Sequence, residues 1–260
     1  VMGRCIAGNR LPLYSDLAKF NADDLARQFN VTAKHSIEKM GAKFHDVFAT
    51  VSEITARECK YLLQKDVDAV TPNGFENDFV WEGKELETKR KEARKAMIDV
   101  AEACLQHKFE KEPLIVATSG RYEFRNKGLD VFMESLKRLA SFKLDREILA
   151  YVMVPAANNG ARADLVRHME DATQPIDEKQ WKHSTHYLEN TEWDSIARSI
   201  SGSVLEGAAS NVKVIFVPSY LNGNDGVFNK SYYELLVGVD VTAFPSYYEP
   251  WGYTPLESIA

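Results

Sequence analysis

Two carboxylates near the end of the chain, Glu249 and Glu257, are the residues best suited to chemistry, with seven residues between them. They close the run Phe-Pro-Ser-Tyr-Tyr-Glu-Pro-Trp-Gly-Tyr-Thr-Pro-Leu-Glu at 244–257. Within it, Thr254 followed by Pro255 is a helix-start signal, with Thr as N-cap and Pro at the first helical position. A helix start offers unpaired N–H groups and the positive end of the helix dipole to an anion. A phosphate-friendly turn flanked by two acids suits a ligand with both a phosphate and several hydroxyls, such as a nucleotide-sugar. In this reading Glu249 holds sugar hydroxyls beside an oxocarbenium-like centre, and Glu257 accepts hydrogen bonds from a ribose diol. The simpler alternative for either acid is a helix-start carboxylate that complements the dipole.

A second group lies upstream. Arg121 presents a planar fork and Lys127 a point charge, six residues apart across a Gly/Asn-containing loop. Both would reach one diphosphate and stabilise the charge that grows on a departing nucleoside diphosphate. The alternative is a surface pair of no consequence. Tyr220 and Tyr232 flank the Gly/Asn loop 222–230. An aromatic face stacks on a nucleobase for about 1–3 kcal/mol, although tyrosines also serve in plain packing. His183 and His186 lie one turn apart, but no carboxylate or cysteine pattern completes a metal-ligand set. No Ser/His/Asp or Cys/His order is readable.

The elements that must position these residues follow from periodicity. Apolar runs at 114–120, 148–154 and 212–217 read as buried strands, and the run 235–244 ends in a short buried strand. Between them, 129–141 and 231–237 read as helices. Strand and helix alternate across 113–260, the pattern of a doubly wound parallel sheet. Ligands in such sheets bind beyond the carboxyl ends of the strands, so the loops 120–128 and 245–254 should face one crevice. The stretch 156–210 is polar with no clear strand; Leu165, Trp181, Trp193, Ile196, Ile200 and Leu205 suggest short helices in an insertion. Upstream, 84–109 reads as a long helix with Ala93, Met97, Val100 and Cys104 as its apolar stripe. Its charge run 84–95 reads as a solvated face. Residues 44–51 and 67–70 read as strands around a helix capped by Ser52, a βαβ unit. Residues 1–40 mix a loop with helical spacing at Leu17, Phe20, Leu25, Phe29, Ile37 and Met40, and His35 reads as a plain helix histidine.

Bulk properties exclude several classes. A net charge of -6 argues against binding nucleic acid by phosphate neutralisation. No apolar run reaches the length of a membrane span, and no signal peptide is read. Three dispersed cysteines, Cys5, Cys59 and Cys104, predict free thiols in an intracellular, cytoplasmic chain. The chain opens Val1-Met2-Gly3-Arg4 and stops at Ala260, just after its motif starts a helix, which predicts a fragment trimmed at both ends.

Three stretches together resemble glycogen synthases of the animal and fungal type, glycosyltransferase family 3. They are Gly-Arg-Tyr-Glu-Phe-Arg-Asn-Lys-Gly at 120–128, the run 244–257 with that family's E-x7-E signature, and Val-Thr-Pro-Asn-Gly at 70–74 after Thr-Val-Ser-Glu-Ile-Thr at 50–55. The resemblance covers nearly the whole chain and is weakest across 156–210. It implies a GT-B fold, two Rossmann-like domains with the active site in the cleft between them. Here that means an acceptor-side part at 1–75 and a donor-binding domain at 76–260. It implies retaining transfer of glucose from UDP-glucose to the 4-hydroxyl of an α-1,4-glucan, with no metal and no cofactor, by a protein that meets UDP-glucose and glycogen and forms a homo-oligomer.

Carried over residue by residue, Arg121 and Lys127 match the diphosphate-binding pair. Glu249 matches the acid beside the donor glucose, and Trp251 and Gly252 its neighbours. Tyr253 and Thr254 match the turn whose amides meet the phosphate, and Glu257 the ribose-binding acid. Tyr220 and Tyr232 match two aromatic positions at the base, and Arg4 the cleft arginine of the first domain.

Departures are equally specific. The family's catalytic-region histidine falls before Val1, the glycine-rich loop of the first domain belongs further upstream, and the closing C-terminal helices are missing. These 260 residues alone are therefore expected to be inactive. The insertion is shorter than in the eukaryotic enzymes and shows no Arg-rich helix, which leaves glucose-6-phosphate activation and a tetramer without support. Two other readings remain: a retaining GT-B transferase with another donor or acceptor, and a non-catalytic glucan-binding homologue. The intact charged set speaks against the latter. Uracil and adenine would stack equally well on Tyr220 or Tyr232.

Overall fold

A computed structural model describes residues 1–260. Two compact units emerge, and neither is continuous in sequence. The first comprises Val1–Glu76, Arg125–Lys127 and Ser246–Leu256. The second comprises Asn77–Phe124, Gly128–Pro245 and Glu257–Ala260.

Helices dominate the first unit: α1 (Met2–Gly8), α2 (Leu13–Asp16), α3 (Ala22–Gln28), α4 (Thr32–Phe44) and α5 (Glu53–Glu58), with β1 (Ala49–Thr50) and β2 (Ala69–Val70). Its core gathers Met2, Ile6, Leu13, Leu17, Ala22, Ala26 and Leu62, with Tyr248 packed against them. Asn21 starts α3 by accepting from the N–H groups of Asp23 and Asp24, and a reciprocal pair of Ser52 and Thr55 caps α5. The expected strand–helix–strand unit is present, because β1 and β2 pair in parallel. Its first strand is far shorter than the apolar run 44–51 suggests. Helix α4 continues through Phe44, residues 45–48 pair with no strand, and only Ala49–Thr50 ladder. Ile37 and Met40 lie exposed on α4 instead of lining the core, and His35 is buried, 3.1 Å from Asp23 Oδ1.

The second unit contains α6 (Gly83–Leu105), β3 (Leu114–Ser119), α7 (Leu129–Leu139), β4 (Ile148–Met153), β5 (Asn158–Ala161), α8 (Ala163–Glu170), β6 (His186–Leu188), α9 (Ser195–Ile200), β7 (Val212–Val217), α10 (Tyr232–Leu236) and β8 (Val241–Thr242). The final helix, α11 (Tyr253–Ile259), begins in the last segment of the first unit and ends in the second. Strands run in the order β7-β4-β3-β8, all parallel. β3, β4 and β7 are in flush register, from Leu114, Ile148 and Val212 to Ser119, Met153 and Val217. Alternate side chains enter two apolar layers. Ile115, Leu149, Tyr151 and Ile215 pack with Met97, Val100 and Cys104 of α6. Val116, Ala150, Val152 and Phe216 pack with Phe132 and Leu136 of α7 and Ile196 of α9. Burial on both faces explains why these strands read as unbroken hydrophobic runs, and the result is an α/β, Rossmann-like unit.

Three expectations need correction here. β8 is not buried: only two residues ladder at the sheet edge, and Val241 is exposed. The polar stretch 156–210 does hold strands, since β5 and β6 pair antiparallel. The buried Arg162 beside them donates to Asp164 at 2.6 Å and to the Ser184 carbonyl at 3.1 Å. Finally, the charge run on α6 is not all solvated. Arg90 and Arg94 both pair with Asp240, at 2.6 and 2.9 Å, and so tie α6 to the entry of β8. Cys5, Cys59 and Cys104 are free thiols, and no helix is long and apolar enough to cross a membrane.

Candidate active site

In the first unit, the candidate residues converge on the segment Ser246–Leu256. The N–H groups of Tyr247 and Tyr248 both donate to the Asn126 carbonyl, at 2.9 and 3.2 Å. This brings the next residue, Lys127, to the segment, and its Nζ lies 2.5 Å from Glu249 Oε2. The Ser246 hydroxyl donates to the same oxygen at 3.3 Å. The pair is neither buried nor free, with 19% of the Lys127 side chain and 28% of the Glu249 side chain exposed. Arg125, two residues before Lys127, stacks its guanidinium 3.4 Å from the centroid of the Tyr247 ring. From the other side, the Ser52 hydroxyl donates to the Pro250 carbonyl at 3.0 Å.

Beyond Glu249 the chain turns sharply. Gly252 has φ +88°, a conformation that favours glycine. Helix α11 then starts at Tyr253, two residues before the start expected at Pro255, so Thr254 is not its N-cap. The Nε1 of Trp251 is buried without a hydrogen-bond partner. Tyr253 is exposed and Thr254 half-buried. Arg4 lies exposed on α1.

The second unit holds the remaining candidates. Arg121 is exposed and follows Gly120 at the carboxyl end of β3. Its neighbour Tyr122 donates to Asp194 at 2.6 Å and accepts from the Ser195 N–H, which anchors the loop to the start of α9. Tyr220 is 75% exposed. Tyr232 differs: its hydroxyl lies 2.8 Å from Ser119 Oγ, and burial pushes its phenol up to about 12. Glu257 accepts from the Tyr233 hydroxyl at 3.0 Å. Phe79 stacks on the same tyrosine with centroids 4.0 Å apart. Phe79, Trp81, Tyr233 and Glu257 line a half-open cavity of about 220 Å³.

The structure thus brings Lys127, Glu249, Trp251 and Gly252 together, and it joins Glu257 to Tyr233. Sequence reasoning missed Tyr233, Phe79 and Trp81, and also Tyr14, Glu58 and Tyr248. Tyr233 stands beside the chosen Tyr232 and one helical turn before Val237. A question about which of two adjacent tyrosines faces the carboxylate would have found it. His183 and His186 each place a ring nitrogen near a protein carbonyl, at 2.9 Å from Val214 O and 2.8 Å from Asp225 O.

Comparison with known proteins adds the following. A family model described as glycogen synthase matches residues 1–182 and 169–260, and its two stretches overlap inside the polar region 156–210. The glycogen [starch] synthase isoform 1 of Saccharomyces cerevisiae is 27% identical over 325 aligned residues, covering 99% of this chain and 46% of the yeast protein. The liver glycogen [starch] synthase of Homo sapiens is 26% identical, covering 99% of this chain and 44% of its own. The glycogen [starch] synthase of Neurospora crassa is 27% identical, with 99% and 45% covered. The chain therefore spans about half the length of the curated relatives it matches. The yeast alignment is longer than the 260 residues available, so that relative carries residues this chain lacks.

Proposed function

The chain belongs to the glycogen synthase family, and we propose from that premise that the protein transfers glucose from UDP-glucose to the 4-hydroxyl end of an α-1,4-glucan with retention of configuration. The observation that carries this reading is the Lys127–Glu249 contact of 2.5 Å, within a loop turned by Gly252. A cation and a carboxylate at that spacing suit the two ends of one donor: the diphosphate that leaves and the glucose that is transferred.

In this reading Lys127, with Arg121, meets the negative charge that grows on the departing diphosphate. Such fixed charges act most strongly where charge develops during the reaction. Glu249 faces the glucose, accepts from its hydroxyls and stabilises positive charge at the anomeric carbon. Trp251 and Gly252 shape the turn, and the amides of Tyr253 and Thr254 meet a phosphate oxygen. Glu257, held by Tyr233, accepts from the ribose, and Tyr220 or Tyr232 borders the base. Arg4 serves the acceptor-side domain. Residues 1–75 are read as part of that domain, and 76–260 as the donor-binding one.

The test is transfer of labelled glucose from UDP-glucose onto glycogen by the parent protein, alongside ADP-glucose and calorimetric nucleotide binding. Incorporation from UDP-glucose supports the proposal. Incorporation from ADP-glucose alone would replace the donor, and absence of any nucleotide binding would overturn the enzyme reading.

A further inference from the structure

Glu249 sits between two residues that are each tied to α5. The Ser52 hydroxyl, at the N-cap of that helix, donates to the Pro250 carbonyl at 3.0 Å. Glu58, its last residue, takes a side-chain hydrogen bond from Tyr248 and another from the Tyr14 hydroxyl at 3.1 Å. The two ties therefore fall immediately after and immediately before Glu249.

Glu58 is an unusual occupant of its place. A helix glutamate is normally solvated, yet this one is only 6% exposed. Buried carboxylates persist where donors compensate them, and here Tyr14 and Tyr248 act as the donors. Burial raises the proton affinity of the Glu58 carboxyl, and the Tyr14 hydrogen bond works in the opposite direction. The approach of α1 is equally close. A Cβ on Gly3 would come within 2.5 Å of Glu58 Oε2 and 2.7 Å of Tyr248 Cε2. A side chain at this position, one residue before Arg4, would force Glu58 or Tyr248 to shift. Three segments distant in sequence thus meet on the Tyr14–Glu58–Tyr248 group, and nothing in the roles assigned above uses it.

We infer that α5 is a positioning clamp for Glu249, with Ser52 and Glu58 as the positioning residues that set where its carboxylate stands. The inference rests on the reading of Glu249 as the sugar-facing acid. The Asn126 carbonyl already fixes the backbone on the Lys127 side, through the N–H groups of Tyr247 and Tyr248. The clamp adds ties on both flanks of Glu249, so carboxylate and ammonium keep their separation when the ion pair opens for a donor. Misplacement of a reacting group by about 1 Å costs on the order of 10²-fold in rate, which is the leverage such a clamp has.

Glu58→Gln, Tyr248→Phe and the double variant test this by two independent measurements. Amide hydrogen exchange should quicken by about tenfold across residues 246–252 in each single variant, with β4 amides unchanged as evidence of an intact fold. The double variant should show little further change, because one tie is broken in both. Turnover with UDP-glucose should fall by about 10- to 100-fold while KM for the donor stays within about twofold. Should Glu58→Gln fail to fold, Tyr248→Phe carries the test, since it keeps the ring and removes only the hydroxyl. Unchanged exchange at 246–252 in Tyr248→Phe would overturn the clamp, and so would faster exchange with unaltered turnover. A parent protein that transfers no glucose would instead sink the functional reading, and the exchange data would still decide the clamp.

Discussion

Glu257 takes one tyrosine hydroxyl, in a unit framed by four parallel strands whose apolar side chains fill both faces. Glu249 rides on a loop tied to residues 52, 58, 126 and 127, in a unit whose own sheet is two residues long. Where a sheet supplies the frame, few polar contacts are needed, and the end of a strand already fixes where its loop begins. Where no such sheet exists, single hydrogen bonds and one buried acid must do the positioning. Damage to the second unit should therefore register as lost stability, and damage to the first as lost turnover.

The largest expected effect tests the sheet half of that contrast. Phe216 is fully buried between α7 and α9, and Phe216→Ala should cost about 3–5 kcal/mol in denaturant unfolding. A cost below about 1 kcal/mol would mean that the sheet is not the frame. Next comes Lys127→Ala. Turnover with UDP-glucose should fall by about 10²–10³-fold, the effect of removing one preorganised charge donor. The unfolding midpoint should barely move, because half-exposed ion pairs contribute little. A large midpoint shift with normal turnover would reverse the contrast.

The third prediction concerns acid. His183 is 2% exposed, and burial holds its imidazole down at about 4. The unfolded chain binds that proton near pH 6.5, so the folded state is the worse proton binder. Stability should therefore be intact above about pH 6.5 and fall between there and about pH 4, by about 3 kcal/mol. His183→Gln should flatten this slope in unfolding titrations at pH 7 and 5. The smallest effect gives the sharpest comparison. Ser52 and Ser231 each close a capping box, one in each unit. Either serine changed to Ala should cost about 1 kcal/mol of stability. Only Ser52→Ala should also slow turnover, because only that serine reaches the loop of Glu249. Equal turnover in both variants would remove the distinction.

How much of this was legible beforehand follows the same division. Runs such as Ile-Leu-Ala-Tyr-Val-Met at β4 announce a strand buried on both faces, and the stripe of Ala93, Met97, Val100 and Cys104 announces α6. Both patterns arise from packing against a large apolar neighbour, which leaves its mark on every residue of the element. The short strands were not legible. Asn-Asn-Gly-Ala at β5 has no strand pattern, and only its partner β6 makes it one. The run 44–51 is apolar enough for a strand, but α4 takes its first residue and only Ala49–Thr50 find a partner, in β2. The charged residues of 84–95 looked solvated because Asp240 lies far along the chain. Within the site, Lys127 and Glu249 were found by residue type, and their contact was not. Glu58 left no trace at all, since a glutamate on an amphipathic helix looks the same whether solvent or two tyrosines surround it.

The discontinuity of the first unit sets an order of assembly. Val1–Glu76 is synthesised before Arg125–Lys127, and Ser246–Leu256 after both. All four strands of the large sheet, through Thr242, emerge before Tyr248 does. Until then Glu58 lacks one of its donors and the Asn126 carbonyl lacks both of its N–H partners. The nascent chain thus completes its four-stranded sheet while the loop of Glu249 is still unmade, so the Lys127–Glu249 pair forms only after the sheet strands have been synthesised.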